Sequence, residues 1–297
     1  MANNIADIEK IPKKELCDFG HDKFVKIYEQ KFHQPGEPFF QEQKAFFLEE
    51  LMHGSYAARL QLPSTTSFSV FNAFMSLAIN GLSLEKNFTT QCYLECKSTK
   101  IGKNDKGVDI YGNIARITIT GYGEVFMRVR AGQIRGIDNP VVVYNSDDFK
   151  FGERDGHKFV EWCKCDPRPQ GDKLKGCYVK IYKADGSYDY YFMDLTEILR
   201  LKGYSAKFNG RYGANPLYGR LPDGTDIDTG FLISKTIKHA FKGYPKLPIG
   251  GGAVMESDKD TTDAPKPDGN QQQQSFAEQQ PVDGVKVKTD ADNPFNE

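Results

Sequence analysis

The chain has 297 residues, 39% hydrophobic and 27% charged, which excludes a wholly disordered chain, a disulfide miniprotein and a collagen-like rod. Its formal net charge is -1, from 39 Lys and Arg against 40 Asp and Glu. No apolar run of about 18 residues is present and the N-terminus lacks the apolar region of a secretory signal, so a cytoplasmic protein without a membrane partner is expected.

Residues 1–36 are polar and mixed, and read as an N-terminal segment that is a candidate oligomer contact. From Glu37 to His53 the spacing of Phe39, Phe40, Phe46, Phe47 and Leu51 predicts an amphipathic helix. A second helix is opened by Pro63-Ser64, lined by Phe68, Phe71, Phe74, Met75, Leu77 and Ala78, and closed by Asn80-Gly81. Cys92, Leu94 and Cys96 alternate with polar residues as in a strand, a loop is expected from Ser98 to Gly107, and Asn113–Thr120 is a β-branched strand.

Residues 121–133 read as a helix ending at Gly132. Ile134–Tyr144 and Phe149–Glu161 read as strands parted by Asn145-Ser146-Asp147. Cys177–Tyr182 and Tyr188–Met193 flank Asp185-Gly186, the strongest hairpin signal in the chain. Leu195–Leu201 is a short helix capped at Asp194, residues 203–225 a basic, aromatic loop, and about Asp226–Phe241 a last helix. The expected fold class is α+β, with antiparallel meander hairpins flanked by helices.

The near-zero net charge hides a division. Residues 256–297 hold ten acids against four bases, net -6, which leaves 35 bases and 30 acids, net +5, in residues 1–255. The tail also contains Gln271–Gln274 and few apolar side chains, so it is expected to be disordered. The expected organisation is thus a segment over 1–36, a core over 37–249 and an acidic tail over 250–297, with Gly250, Gly251 and Gly252 as the hinge.

Motifs of nucleotide hydrolysis and of nucleophilic catalysis are missing from the sequence: there is no G-x-x-x-x-G-K-[ST], no G-x-S-x-G and no H-E-x-x-H. His157, Cys163 and Cys165 share one strand face and Cys177 follows, but Cys-x-Cys is poor zinc spacing and reduced thiols are the plainer reading. The chemistry-bearing stretch is 198–222, where Arg200, Lys202, Lys207, Arg211 and Arg220 interleave with Tyr204, Phe208, Tyr212 and Tyr218 and no acid intervenes. Cations neutralise phosphates and rings stack on unpaired bases, so this mixture suits a single-strand binder. Lys235, Lys238 and Lys242 add a basic face to the last helix, and Arg128 and Arg130 lie on an earlier one.

Several blocks, in order, carry a family resemblance. They are Asn80-Gly81-Leu82-Ser83-Leu84 with Cys92-Tyr93-Leu94, then Gly121-Tyr122 through Arg130-Ala131-Gly132-Gln133-Ile134. Val142-Val143-Tyr144 with Asp147-Asp148-Phe149 follows, then Gly176-Cys177-Tyr178 to Met193, and Ser234-Lys235-Thr236 to Tyr244-Pro245. Over roughly residues 60–250 the chain resembles the RecT/Red-beta superfamily of phage-type single-strand annealing proteins, RecT more than Red-beta. It departs from the pattern in a longer loop at 98–110 and in Phe126-Met127, where the family has an aliphatic and an acidic residue.

The resemblance implies an ATP-independent protein of a bacterial cell, phage or prophage encoded, that coats single-stranded DNA as a ring or helical filament. It implies annealing of complementary strands in homologous recombination, through a duplex intermediate. No cofactor is implied, and a divalent cation serves at most as a DNA counterion. An exonuclease and a host single-strand-binding protein are the candidate protein partners. Lys235, Lys238 and Lys242 are the first phosphate contacts it implies, with Arg128, Arg130, Arg200, Lys202, Lys207, Arg211 and Arg220 next and Phe208 and Tyr212 as stacking rings.

The end of the tail, Asp290, Asp292, Pro294 and Phe295, is similar to the acidic tip by which bacterial single-strand-binding proteins dock on partners, although Asn296 and Glu297 follow the Phe. A plain solubilising tail is the alternative reading. Alternatives to annealing are a passive single-strand-binding protein and a metal-dependent enzyme acting on nucleic acid.

Overall fold

The computed structural model describes residues 5–53, 62–86, 89–209 and 213–256. Helices and antiparallel strands share the chain, giving the expected α+β class. Helices α1 (Ile5–Ile8), α2 (Leu16–Phe19), α3 (His21–Phe32), α4 (Gly36–His53) and α5 (Ser67–Asn80) come first. Thr66 caps α5, its Oγ1 accepting from the Ser69 N–H at 3.1 Å. Val70, Phe71, Ala73, Phe74, Leu77 and Ala78 of α5 are all buried, because neighbours surround this helix instead of lying along one stripe. Phe24 stacks on Phe74 at 4.7 Å, while Phe40 and Phe47 meet the same ring edge-on at 5.9 and 5.1 Å. Each such ring removed from water stabilises the core by about 1.5–3 kcal/mol.

The N-terminal segment therefore needs correction. Ile8, Leu16, Cys17, Phe24 and Tyr28 all enter the main core, so residue 36 is no boundary. Ile8, Leu16 and Cys17 sit on helices of four residues, too short to show a period, whereas Phe24, Ile27, Tyr28 and Phe32 recur at helical spacing along α3.

The first sheet has the order β1–β2–β9, from β1 (Cys92–Lys103), β2 (Asp109–Ile119) and the last strand, β9 (Ala253–Met255). Antiparallel pairing between β1 and β2 runs from Cys92–Ile119 to Lys103–Asp109, so most of the loop expected over Ser98–Gly107 is strand. Its polar residues line an exposed arm whose backbone bonds are satisfied within the hairpin, so composition did not reveal it. The C-terminal hinge is the second correction. Ala253, Val254 and Met255 pair in parallel with Ile117, Thr118 and Ile119, and the Gly252 carbonyl accepts from the Ile117 N–H at 2.8 Å. A Cβ on Gly252 would stand 2.1 Å from the Asn72 carbonyl oxygen, so here glycine permits close approach to α5 instead of free rotation.

Helix α6 (Gly121–Arg130) leads into a second sheet. Its long strand β7 (Leu174–Lys183) pairs on one edge with β3 (Ile134–Ile137) and β4 (Val141–Tyr144), and on the other with β8 (Tyr188–Asp194). Ile134–Tyr144 is thus two strands rather than one, broken at Asp138-Asn139-Pro140, where proline cannot donate to a ladder. Phe149–Glu161 is likewise a hairpin, β5 (Asp148–Arg154) with β6 (His157–Cys163). It turns at Asp155 and Gly156, whose φ values of 53° and 75° are those of a tight hairpin turn. The hairpin at Asp185-Gly186 is where the sequence places it. Helices α7 (Leu195–Asn209) and α8 (Thr229–Ala240) then pack together on one face of this sheet.

Candidate nucleic-acid interface

Two side-chain caps position the basic layer. Asp194 Oδ1 accepts from the Glu197 N–H at 2.7 Å at the start of α7, and Asp228 Oδ1 accepts from the Phe231 N–H at 2.6 Å at the start of α8. Inward, Ile198 and Leu201 of α7 and Leu232 and Ile237 of α8 meet Cys177, Val179, Ile181 and Met193 of the sheet. That burial turns the intervening polar positions outward. Helix α7 continues to Asn209, eight residues past Leu201, so Lys202, expected beyond the helix end, and Lys207, expected in a loop, are held on a helix.

The two helices are joined through Glu197. Its Oε1 lies 3.5 Å from His239 Nδ1 and 3.5 Å from Arg200 Nη2, while Oε2 accepts from the Tyr191 hydroxyl at 3.1 Å. The His239 contact, followed by the Tyr191 hydroxyl, holds this carboxyl below the ordinary glutamate range, against a burial effect of opposite sign. Cations rest on rings nearby: Arg200 is 5.3 Å and Lys207 5.7 Å from the centre of Tyr204, and Lys235 is 5.3 Å from that of Phe231. Arg220 is exposed on the connecting segment, its backbone N–H bonded to Asp226, whose carboxylate also feels Lys202. Lys242 is exposed just past the end of α8. Lys238 is half-buried and lines a small recess with Glu124, Met255 and Glu256.

Arg128 does not join this layer. It is only 3% exposed, bonded to Glu124 and, at 3.0 Å, to the Pro245 carbonyl, with its guanidinium 4.8 Å from the Phe241 ring. It is a structural clamp, and this corrects its assignment as a phosphate contact. Arg130 is exposed on α6 but lies between Phe32 and Phe126, at 4.7 and 4.3 Å, and donates to the Gly81 carbonyl at 2.9 Å. Tyr218, one of the interleaved rings, is buried against Phe231 and offers no face to a base. Arg211, Tyr212, the Phe208 side chain and the tail residues Asp290, Asp292, Pro294 and Phe295 lie outside the described residues.

A scan of protein-family models finds no match to this chain, and a search of curated proteins finds none either. Among the described residues, no three His, Cys, Asp or Glu side chains converge as a metal site, and His157, Cys163, Cys165 and Cys177 do not meet. Burial pushes the Cys177 thiol up to about 12, so that sulfur is a core atom and not a nucleophile. No helix among the described residues is long and apolar enough to cross a membrane.

The far face of the second sheet carries residues that the sequence reading did not select. Tyr178 and Lys180 of β7 and Tyr188 and Tyr190 of β8 lie there, opposite α7 and α8. Their even spacing on either side of Asp185-Gly186 was the signal that would have found them.

Proposed function

We propose that the protein binds single-stranded DNA and anneals it to its complement without hydrolysing a nucleotide, acting as an oligomer. The observation that carries this reading is the placement of Arg200, Lys202, Lys207 and Lys235 on two packed helices over one face of one sheet, with Arg220 on their connection and Lys242 just past the end of the second. Each phosphate they neutralise releases condensed counterions, which gives affinity without sequence preference. The same neutralisation lowers repulsion between two strands, and a repeated array of protomers lowers the entropy of finding register. The ordered resemblance to the RecT/Red-beta superfamily supports this choice over other nucleic-acid binders. The chemistry is non-covalent, so no metal or nucleotide cofactor takes part, and divalent cations act only as counterions. An exonuclease that exposes single strands and a host single-strand-binding protein are the fitting partners.

The decisive experiment mixes complementary labelled oligonucleotides with the protein and no nucleotide, and images the complexes by electron microscopy. Faster annealing on rings or filaments is expected. Tight binding without acceleration would make the protein a passive single-strand binder, and no binding would remove the reading.

A further inference from the structure

The face of the second sheet turned away from α7 and α8 is an open aromatic surface. Cross-strand pairs Tyr178–Phe192, Lys180–Tyr190 and Tyr182–Tyr188 lie on it, while the alternate residues Val179, Ile181 and Met193 are buried on the other side. Tyr190 is 5.7 Å from Tyr188 and 6.3 Å from Tyr178, both edge-on, and the Lys180 ammonium sits 4.4 Å from the centre of Tyr188 and 4.9 Å from that of Tyr182. The β5–β6 hairpin packs over the Tyr178–Phe192 end, where Phe149 lies 5.7 Å from Tyr178 and 4.8 Å from Phe192 and Phe151 lies 5.5 Å from Phe192, and its Lys158 reaches Asp189. Tyr188 remains 52% exposed at the free end, and Trp162, 37% exposed, stands edge-on to Tyr178 at 6.4 Å.

We propose that this face is a second nucleic-acid site, a platform on which unpaired bases of a single strand stack. It lies on the opposite side of the sheet from the phosphate-binding helical layer. The proposal rests on the single-strand reading above. Three observations favour a nucleic acid as occupant. The large hydrophobic side chains exposed on β5 to β8 are Phe151, Trp162 and Tyr188, all aromatic, so the surface offers π faces rather than aliphatic bulk. Each nucleobase has a π face, and such stacking tolerates any sequence. A cation sits among the rings: the Lys180 ammonium lies between Tyr182, Tyr188 and Tyr190, at 4.9, 4.4 and 5.8 Å from their centres. The neighbouring acids are in part engaged already, Asp189 with Lys158 at 3.5 Å and Asp138 with the Tyr182 hydroxyl at 3.0 Å. A sheet with aromatic residues at alternate positions is also a general solution for holding single strands with bases splayed.

Trp162 is the single Trp of the chain and supplies the readout. The full-length protein is titrated with oligo-dT and, separately, oligo-rU, following Trp162 fluorescence and the anisotropy of the labelled oligonucleotide together. Quenching of Trp162 that saturates with the anisotropy is expected, with either strand chemistry. Tyr188→Ala and Tyr190→Ala are expected to weaken binding by roughly tenfold each, and Tyr188→Phe to restore it, since the ring and not the hydroxyl stacks. Tyr188 lies outside the core, so its removal leaves the fold intact. Unchanged affinity in both alanine variants with an unquenched Trp162, while the wild-type protein still binds DNA, would overturn the platform and leave the helical layer standing. A Tyr188→Ala protein that keeps its DNA affinity but loses self-association on a sizing column would overturn it too, making the face a contact between copies. No binding by the wild-type protein would remove the platform and the underlying reading alike.

Discussion

Arg128 and Glu124 form an ion pair inside the molecule, Nη2 to Oε1 at 2.5 Å, one turn apart on α6. Phe241 closes over the guanidinium from beyond the end of α8, so one buried cation ties α6 to the chain leaving the basic layer. Removing one partner strands the other charge in a low dielectric. Arg128→Ala is therefore expected to lower stability by about 3–5 kcal/mol, read from urea unfolding, with DNA affinity of the folded protein unchanged. Replacing both members by Met and Gln should recover most of the loss. A selective fall in DNA affinity at full stability would return Arg128 to the binding surface.

The basic layer has an ionic-strength signature. If about six cations contact phosphates of one strand, the log-log salt slope is near -4, and binding weakens roughly 250-fold between 50 and 200 mM salt. Lys235→Glu with Lys242→Glu removes two contacts and should flatten the slope to about -3 while largely suppressing binding and annealing. Lys238 is left alone in this test, because a carboxylate there would face Glu124 and Glu256 and disturb the fold. A slope near zero in the wild-type protein would refute a phosphate-binding layer.

Glu197 sets a pH limit on the same layer. Its folded-state carboxyl lies below the ordinary value of 4.5, so the contribution is complete above that value and is lost as the pH falls through the folded value. Thermal midpoints of the wild-type protein and Glu197→Gln should differ above pH 4.5 and converge below it. Parallel curves through the acid range would show that the link between α7 and α8 is not electrostatic.

Gly252→Ala pushes a methyl group to within 2.1 Å of the Asn72 carbonyl, whereas a Cβ on Gly251 meets nothing within 4 Å. The first change is expected to cost about 1–3 kcal/mol by overpacking and the second to be nearly silent. Equal effects in calorimetry would mean that the glycines act as a hinge after all.

What the sequence made legible was what local pattern encodes. Helices α4, α5, α6 and α8 and the Asp185-Gly186 hairpin follow from period, caps and turn residues. What it concealed was tertiary in origin. Ile8 and Leu16 show their worth only once α5 is in place to receive them. The run Ser98–Lys103 looks like a loop because its own residues are mostly polar and no buried face of the arm imposes a period-2 pattern. Of the cations, those on α7 and α8 are held outward by an apolar underside visible in the sequence. Arg128 misled because nothing in its own helix announces that Phe241 and Pro245 return to cover it. The aromatic face of β7 and β8 was open to a period-2 reading.

The parallel pairing of β9 with β2 makes the whole second sheet, with α6 to α8, an insertion between neighbouring strands of the first. A chain cut after residue 249 would keep every residue of the second sheet and every cation of the basic layer. It would nevertheless uncover Ile117 and Ile119 and leave their strand as a raw edge, open to pairing with another molecule. Truncations meant to trim the acidic tail therefore belong beyond Glu256, or they will report aggregation of the first sheet as though it were a property of the tail.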